Sequence, residues 1–310
     1  MPTIINTSIS LPDNFRIADF LVFHQRDDQM IAEIVGENQL QKGMVWQDMP
    51  ARLSFTFVGN QVDIELNLDS GQKKLDPQTT LLRLQQHAQH MLGLNQAISD
   101  FETSTINHPQ LNRLINQQSG LRVPQAATTF EALTWAIIGQ QISVHAAVSV
   151  RRKFIQYAGL RHSSGIWCYP NPEQIAAVTI NDLRTQGFSQ TKAHTIIELS
   201  KMIRTGNLPL ESWLNDYWQG NILAAQDIYN ALIQVRGIGP WTVNYALLRG
   251  FGWLDGSLHG DVAVRRNLQR LLQCDEKIDE KTTQVWLERF SPWRALVAAH
   301  LWAMQKQAGF

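Results

Sequence analysis

Val235-Arg236-Gly237-Ile238-Gly239-Pro240-Trp241-Thr242-Val243-Asn244-Tyr245, with the lone acid Asp261 downstream, decides how this chain reads. Ahead of it, Ile228, Leu232, Ile233 and Val235 keep an apolar stripe at helical spacing, and Asn221 is placed to cap that helix. Gly237 and Gly239 stand where a sharp reversal needs positive φ or a backbone free of Cβ atoms. Pro240 suits the first position of a second helix, running to about Arg249, because its missing N–H costs nothing there. The spacing therefore predicts two helices joined by a glycine turn over about 224–249, with first-turn amides pointing outward. Such amides, aided by the helix dipole, hold a phosphate without any lysine. Gly237, Ile238 and Gly239 are the candidate contacts to a nucleic-acid backbone, and contacts of this kind position a protein without reading sequence. Taken alone, the Gly-x-Gly core also fits an ordinary helical corner.

Asp261 follows a stretch loosened by Gly250, Gly252, Gly256 and Gly260 and precedes the helical run Val262 to Leu268. Breaking an N-glycosidic bond builds positive charge on a sugar C1′, and one buried carboxylate can stabilise that charge or align a water. Ordinary glycosidases need two acids. An Asp just before a helix is equally a plain N-cap. The residues themselves leave both roles open.

The hairpin string and Asp261 together resemble the helix–hairpin–helix DNA glycosylase superfamily. Within it the chain is most similar to the alkylbase branch, the DNA-3-methyladenine glycosylase II enzymes. Three segments carry that likeness: Gly237-Ile238-Gly239-Pro240-Trp241-Thr242 with Asn244-Tyr245, Ile137-Ile138-Gly139-Gln140-Gln141-Ile142-Ser143-Val144, and Ser291-Pro292-Trp293-Arg294 with the later Leu301-Trp302 beside His300. It is sharp from about residue 130 to 305 and weak elsewhere.

The resemblance implies that Asp261 is the catalytic acid. It places Trp241 where members that also cut the DNA backbone carry a Schiff-base lysine. The expectation is a monofunctional enzyme without lyase activity that hydrolyses alkylated purines such as 3-methyladenine or 7-methylguanine from double-stranded DNA in base-excision repair. Cationic bases of that kind suit an aromatic pocket, for which Tyr245, Trp293 and Trp241 are the candidates; most of the remaining tryptophans read as core. The enzyme has to rotate the base out of the stack and fill the gap, and the gap-filling position falls at Gln141. The usual residue there is apolar, so Gln141 reads either as a partner for the orphaned base or as a surface residue. The family's monovalent cation, Na⁺ or K⁺, would rest on the backbone carbonyls of Ile233, Val235 and Gly237. No other cofactor is expected. With only Cys168 and Cys274, the four-cysteine iron–sulfur branch is excluded. His87 and His90 lack a third ligand for zinc. The rival readings are a glycosylase of this fold for an oxidised or deaminated base, and a non-catalytic hairpin DNA-binding protein.

Composition narrows the class further. The chain has 310 residues, 44% of them hydrophobic, with 27 basic against 27 acidic side chains. Residues 1–118 hold 8 Lys+Arg and 13 Asp+Glu, residues 119–310 hold 19 and 14, so the hairpin lies in the basic part. The N-terminus lacks an export signal and no 18-residue apolar run occurs, so the expectation is a cytoplasmic protein, monomeric, with no membrane contact. Two domains are expected, an α+β part over 1–118 and an all-α part over 119–310. In the first, Leu53, Phe55 and Phe57 alternate on one strand and Val62, Ile64, Leu66 and Leu68 on the next, joined by Gly59-Asn60. Asp19 to Gln25 and Met30 to Val35 are further strand candidates, and Asp76-Pro77 opens a helix to about Leu92. The resemblance implies an antiparallel sheet similar to half of the TATA-binding-protein fold. Thr128-x-x-Glu131 is a capping box, and Asn171-Pro172, Asn181-Asp182 and Ser291-Pro292 are further helix-start signals.

Overall fold

The computed structural model describes residues 3–71, 75–219 and 225–304. The chain opens with β1 (Thr3–Ser10), α1 (Ile17–His24), β2 (Glu33–Val35), β3 (Gln39–Trp46), β4 (Met49–Val58) and β5 (Gln61–Leu68). These strands form one antiparallel sheet in the order β1-β5-β4-β3-β2. Alternation in β4 and β5 is borne out: Leu53, Phe55, Val62, Ile64, Leu66 and Leu68 are almost wholly buried, and Val58 pairs with Gln61 across the Gly59-Asn60 turn. The segment Asp19 to Gln25, expected as a strand, is instead helix α1. Phe20, Leu21, Phe23 and His24 are its buried residues, a grouping that suits one helical face better than the alternation of a strand. Of Met30 to Val35 only the last three residues pair, because Met30 turns the chain with φ of 50°.

Helix α2 (Pro77–Met91), capped by Asp76 as expected, lays Leu84, Ala88 and Met91 on the sheet. Then follow α3 (Ile98–Ser104), α4 (Pro109–Gln117), α5 (Thr129–Gly139), α6 (Val144–Ala158), α7 (Pro172–Ala176), α8 (Ile180–Thr185) and α9 (Gln190–Arg204). The rest is α10 (Leu210–Trp218), α11 (Ala225–Ile233), α12 (Pro240–Gly250), α13 (Val262–Leu272), α14 (Glu280–Glu288) and α15 (Arg294–Ala303). Asn221, expected to cap α11, lies outside the described residues. The core of the helical part includes Phe101, Leu111, Leu114 and Ile115, so α3 and α4 pack with it although they precede residue 118.

Helix α5 is buried on every side from Thr129 to Ile138, the pattern of a helix running through a core. Helix α12 lies antiparallel against it. A Cβ on Gly250 would stand 3.1 Å from the Ala132 Cβ, and Gln140 at the other end bonds to Thr242. The Thr128 cap on α5 forms as expected, donated to by Glu131 N, but the Glu131 carboxylate is drawn elsewhere. It accepts from Lys42 Nζ at 2.8 Å and from Arg151 at 2.9 Å, and both cations also bind Glu33. This buried quartet joins β2 and β3 to α5 and α6. Burial pushes Glu33 up, yet Arg151 and Lys42 hold it well below the usual carboxylate range. The other expected helix starts divide. Asn171 forms a full capping box with Gln174, and Thr179 rather than Asn181 caps α8. Ser291 does not cap α15; its hydroxyl donates to Asp255, which also takes Arg294.

Candidate active site

The hairpin forms as its glycines require. Gly237 has φ of 91°, and a Cβ there would lie 2.2 Å from Thr195 Oγ1 on α9, so only glycine lets the turn seat against that helix. Gly239 is the N-cap of α12, with Pro240 in its first turn. Among the described residues, neither Gly237 N–H nor Gly239 N–H has an acceptor, and Gly237 is exposed. Ile238, expected to grip with them, differs. Its side chain is buried and its N–H donates to Val235 O at 3.0 Å, closing the turn instead of facing solvent. The outward amides are those of the two glycines. The carbonyls named for a monovalent ion are partly engaged: Val235 O takes Ile238 N–H, and Gly237 O takes Gln140 Nε2 at 3.1 Å. Each keeps a second lone pair, so the donor set fits an ion that shares those carbonyls.

Asp261 caps α13, and it does more than cap. Its Oδ1 accepts from Ala263 N (2.8 Å), Val264 N (3.0 Å) and Trp302 Nε1 (3.2 Å), while Oδ2 accepts from Trp241 Nε1 at 3.0 Å. Asp261 is 8% exposed, and its carboxylate sits between two indole N–H groups on α12 and α15. Oδ1 is the anchored oxygen, and Oδ2 is the less committed one. No lysine is among its described partners. Lys192, on α9 near the hairpin, has its amine bound to the carbonyls of Ile138 and Gln140.

An aromatic wall adjoins the acid. The Trp241 and Tyr245 rings stack at 5.2 Å, and Tyr245 meets Trp302 at 6.3 Å. Tyr245 is 1% exposed, so it backs this wall rather than presenting a face. Trp293, expected in the pocket, packs on Phe101 at 5.9 Å instead. It caps α15 at one end while Trp302 sits at the other, about 13 Å along the axis at the usual helical rise. Trp302, passed over in the sequence, is the residue of that helix that meets Asp261. The pairing Leu301-Trp302 next to His300 was its only signal. The sheet part reaches the back of the wall too. The Arg249 guanidinium lies 4.5 Å from the Phe23 ring and 5.8 Å from Trp302, and Arg26 lies 4.0 Å from Phe23. Burial pulls Arg249 down to about 10, which leaves it charged at neutral pH.

Gln141 stands at the tip of the loop after α5, exposed, with φ of 57°. That loop touches the hairpin through Gln140, so Gln141, the turn and Asp261 all belong to the α5–α12 region. An exposed Gln141 side chain, the two glycine amides of the turn and the buried Asp261 are thus gathered around one end of the α5–α12 pair.

The model of the HhH-GPD superfamily of base excision DNA repair proteins matches residues 134–292, and the chain belongs to that superfamily. A putative DNA-3-methyladenine glycosylase of Bacillus subtilis is 29% identical over 192 residues, which is 62% of this chain and 64% of that protein. The chain spans about three fifths of the length of the curated relatives it matches. Among solved structures, a 3-methyladenine DNA glycosylase of Archaeoglobus fulgidus superposes with a TM-score of 0.77 at 21% identity, covering 96% of this chain and 97% of that one. An 8-oxoguanine glycosylase/lyase of Clostridium acetobutylicum bound to double-stranded DNA gives 0.69 at 13% identity, covering 98% and 97%. These two likenesses show the fold.

Proposed function

We propose that the protein is a monofunctional DNA glycosylase that hydrolyses the N-glycosidic bond of alkylated purines, of the 3-methyladenine and 7-methylguanine type, in double-stranded DNA. The observation that carries this is Asp261, buried at the start of α13 between the Trp241 and Trp302 N–H groups and beside an aromatic wall. The relatives named DNA-3-methyladenine glycosylase support the substrate class.

In this reading the Gly237 and Gly239 amides hold a backbone phosphate, and Gln141 enters the space left by the rotated base. As the C1′–N bond lengthens, its electron pair passes to the base, and Asp261 Oδ2 stabilises the positive charge left on the sugar. Water then adds its oxygen to C1′ and gives up a proton, leaving an abasic site and the free base. Trp241 supplies no amine, so no covalent sugar adduct forms. A Na⁺ or K⁺ ion on the Ile233, Val235 and Gly237 carbonyls would add positive charge at the phosphate seat. The protein acts as a cytoplasmic monomer.

A second reading, the same fold acting on an oxidised or deaminated base, draws on one observation. Arg26 and Arg249 line a small cavity together with Tyr245, and like charge there disfavours a cationic base. A substrate panel separates the two. Release of free methylated purine from methylated duplex, with no borohydride-trapped adduct, supports the first. Release from 8-oxoguanine, uracil or hypoxanthine duplexes alone supports the second, and release from none of them overturns both.

A further inference from the structure

The loop that carries Gln141 is tied down from two sides. Gln140 Nε2 donates to Gly237 O at 3.1 Å and to Thr242 Oγ1 at 2.9 Å, which fastens the loop to the hairpin turn. From α9, Lys192 Nζ donates to Gln140 O at 2.7 Å and to Ile138 O at 2.9 Å. Helix α9 is itself bonded to the same turn, through Thr195 Oγ1 and Arg236 O at 2.9 Å. The three contacts close a triangle whose corners are the α5–α6 loop, α9 and the glycine turn.

Gln141 needs such support. A left-handed conformation at a residue other than glycine is sparsely populated and persists where the surroundings impose it. Lys192 also satisfies carbonyls at the end of α5, which have no helical donor. It does so from another helix, so the contact fixes the position of the loop and not merely the end of α5. Half-buried, its ammonium is lowered below its ordinary value by loss of water. A group held this way is committed to the protein rather than offered to a phosphate.

We propose that Gln140 and Lys192 are positioning residues that hold Gln141 at a fixed offset from the Gly237–Gly239 amides, so that gripping the backbone and filling the gap are one rigid action. This rests on the reading of the hairpin and Gln141 given under Proposed function. Neither residue touches DNA in this scheme; both act through Gln141.

The test compares full-length wild type with Gln140→Ala, Lys192→Met, Lys192→Arg, Gln141→Ala and the Lys192→Met/Gln141→Ala double variant. Each is titrated onto an undamaged duplex and onto one holding a tetrahydrofuran abasic analogue beside 2-aminopurine. Kd and 2-aminopurine fluorescence are read at several salt concentrations. Losing the charged hydrogen bonds of Lys192 should lower the preference for the abasic duplex about five- to tenfold. Affinity for undamaged duplex and its salt slope should stay within about twofold, and the fluorescence rise on binding should shrink. Lys192→Arg should restore the preference. The double variant should be no worse than Gln141→Ala, since the two changes remove one effect. Equal losses on both duplexes with a shallower salt slope would make Lys192 a phosphate contact and overturn the proposal. Additive losses in the double variant would overturn it as well. If wild type shows no preference for the abasic duplex, the gap-filling reading of Gln141 fails first, a result distinct from failure of the bracket.

Discussion

The indole N–H of Trp241 lies 3.0 Å from Oδ2 of Asp261, and on the other carboxylate oxygen the N–H of Trp302 lies at 3.2 Å. Two helices far apart in sequence thus orient one acid. Trp241→Phe and Trp302→Phe each keep an aromatic ring and remove that donor. Base release should fall about 10- to 100-fold in either variant, the worth of a hydrogen bond to a charged group. Affinity for undamaged duplex should stay unchanged. Trp293→Phe, on the far end of α15, should cost no more than about threefold. Single-turnover rates on methylated duplex check all three, and a larger loss for Trp293→Phe than for Trp302→Phe would reverse the assignment.

Gly237→Ala should weaken the grip without touching the acid. The added Cβ meets Thr195 Oγ1 at 2.2 Å and the residue must keep φ of 91°. Strain of about 1–3 kcal/mol is expected, read as a lower unfolding midpoint in urea together with a raised Kd for undamaged duplex. Unaltered DNA affinity would remove Gly237 from the interface.

What the sequence made legible was local. The hairpin, Asp261, the β4–β5 turn and most helix caps depend on residues a few positions apart, where glycine, proline and capping side chains act directly on the backbone. Helix α1 reads as a strand because Phe20, Leu21 and Phe23 form a short apolar run that strand and helix share. Ile238 reads as outward because the string does not say which of three adjacent amides the turn consumes. Trp293 and Trp302 lie in one motif, and only the packing of α15 against α13 decides which one meets the acid. The quartet of Lys42, Glu33, Glu131 and Arg151 left no trace, since its members come from four elements.

That quartet should be costly to break. Lys42→Met leaves Glu33 and Glu131 buried together, with Arg151 as the remaining Lys or Arg partner among the described residues and His24 beside Glu33. A loss of about 3–5 kcal/mol is expected, measured by denaturant unfolding. A change below about 1 kcal/mol would mean that the sheet and the helical part are held together by apolar contacts alone.

Acid should destabilise the fold through its histidines. Burial lowers His24 and His90 to about 4 and His87 and His300 to about 3. In the unfolded chain they titrate near 6.5, so between about pH 6.5 and 4 the unfolded state binds more protons. Stability is then fully present above pH 6.5 and falls as pH drops through that window. Glu33, held low, acts in the same direction at lower pH. Calorimetric unfolding at pH 5 in buffers of different ionisation enthalpy should register uptake of about four protons. Uptake of fewer than one would mean that these histidines are protonated in the folded protein.

The most direct measurement is release of free base from methylated duplex DNA, resolved by chromatography, for wild type and Asp261→Asn at saturating enzyme. The substitution keeps the shape and an oxygen for the α13 cap but removes the negative charge. Wild type should release 3-methyladenine or 7-methylguanine, and Asp261→Asn should release none above the uncatalysed background while binding the duplex normally. Release by Asp261→Asn at a rate near wild type would contradict the role assigned to this acid.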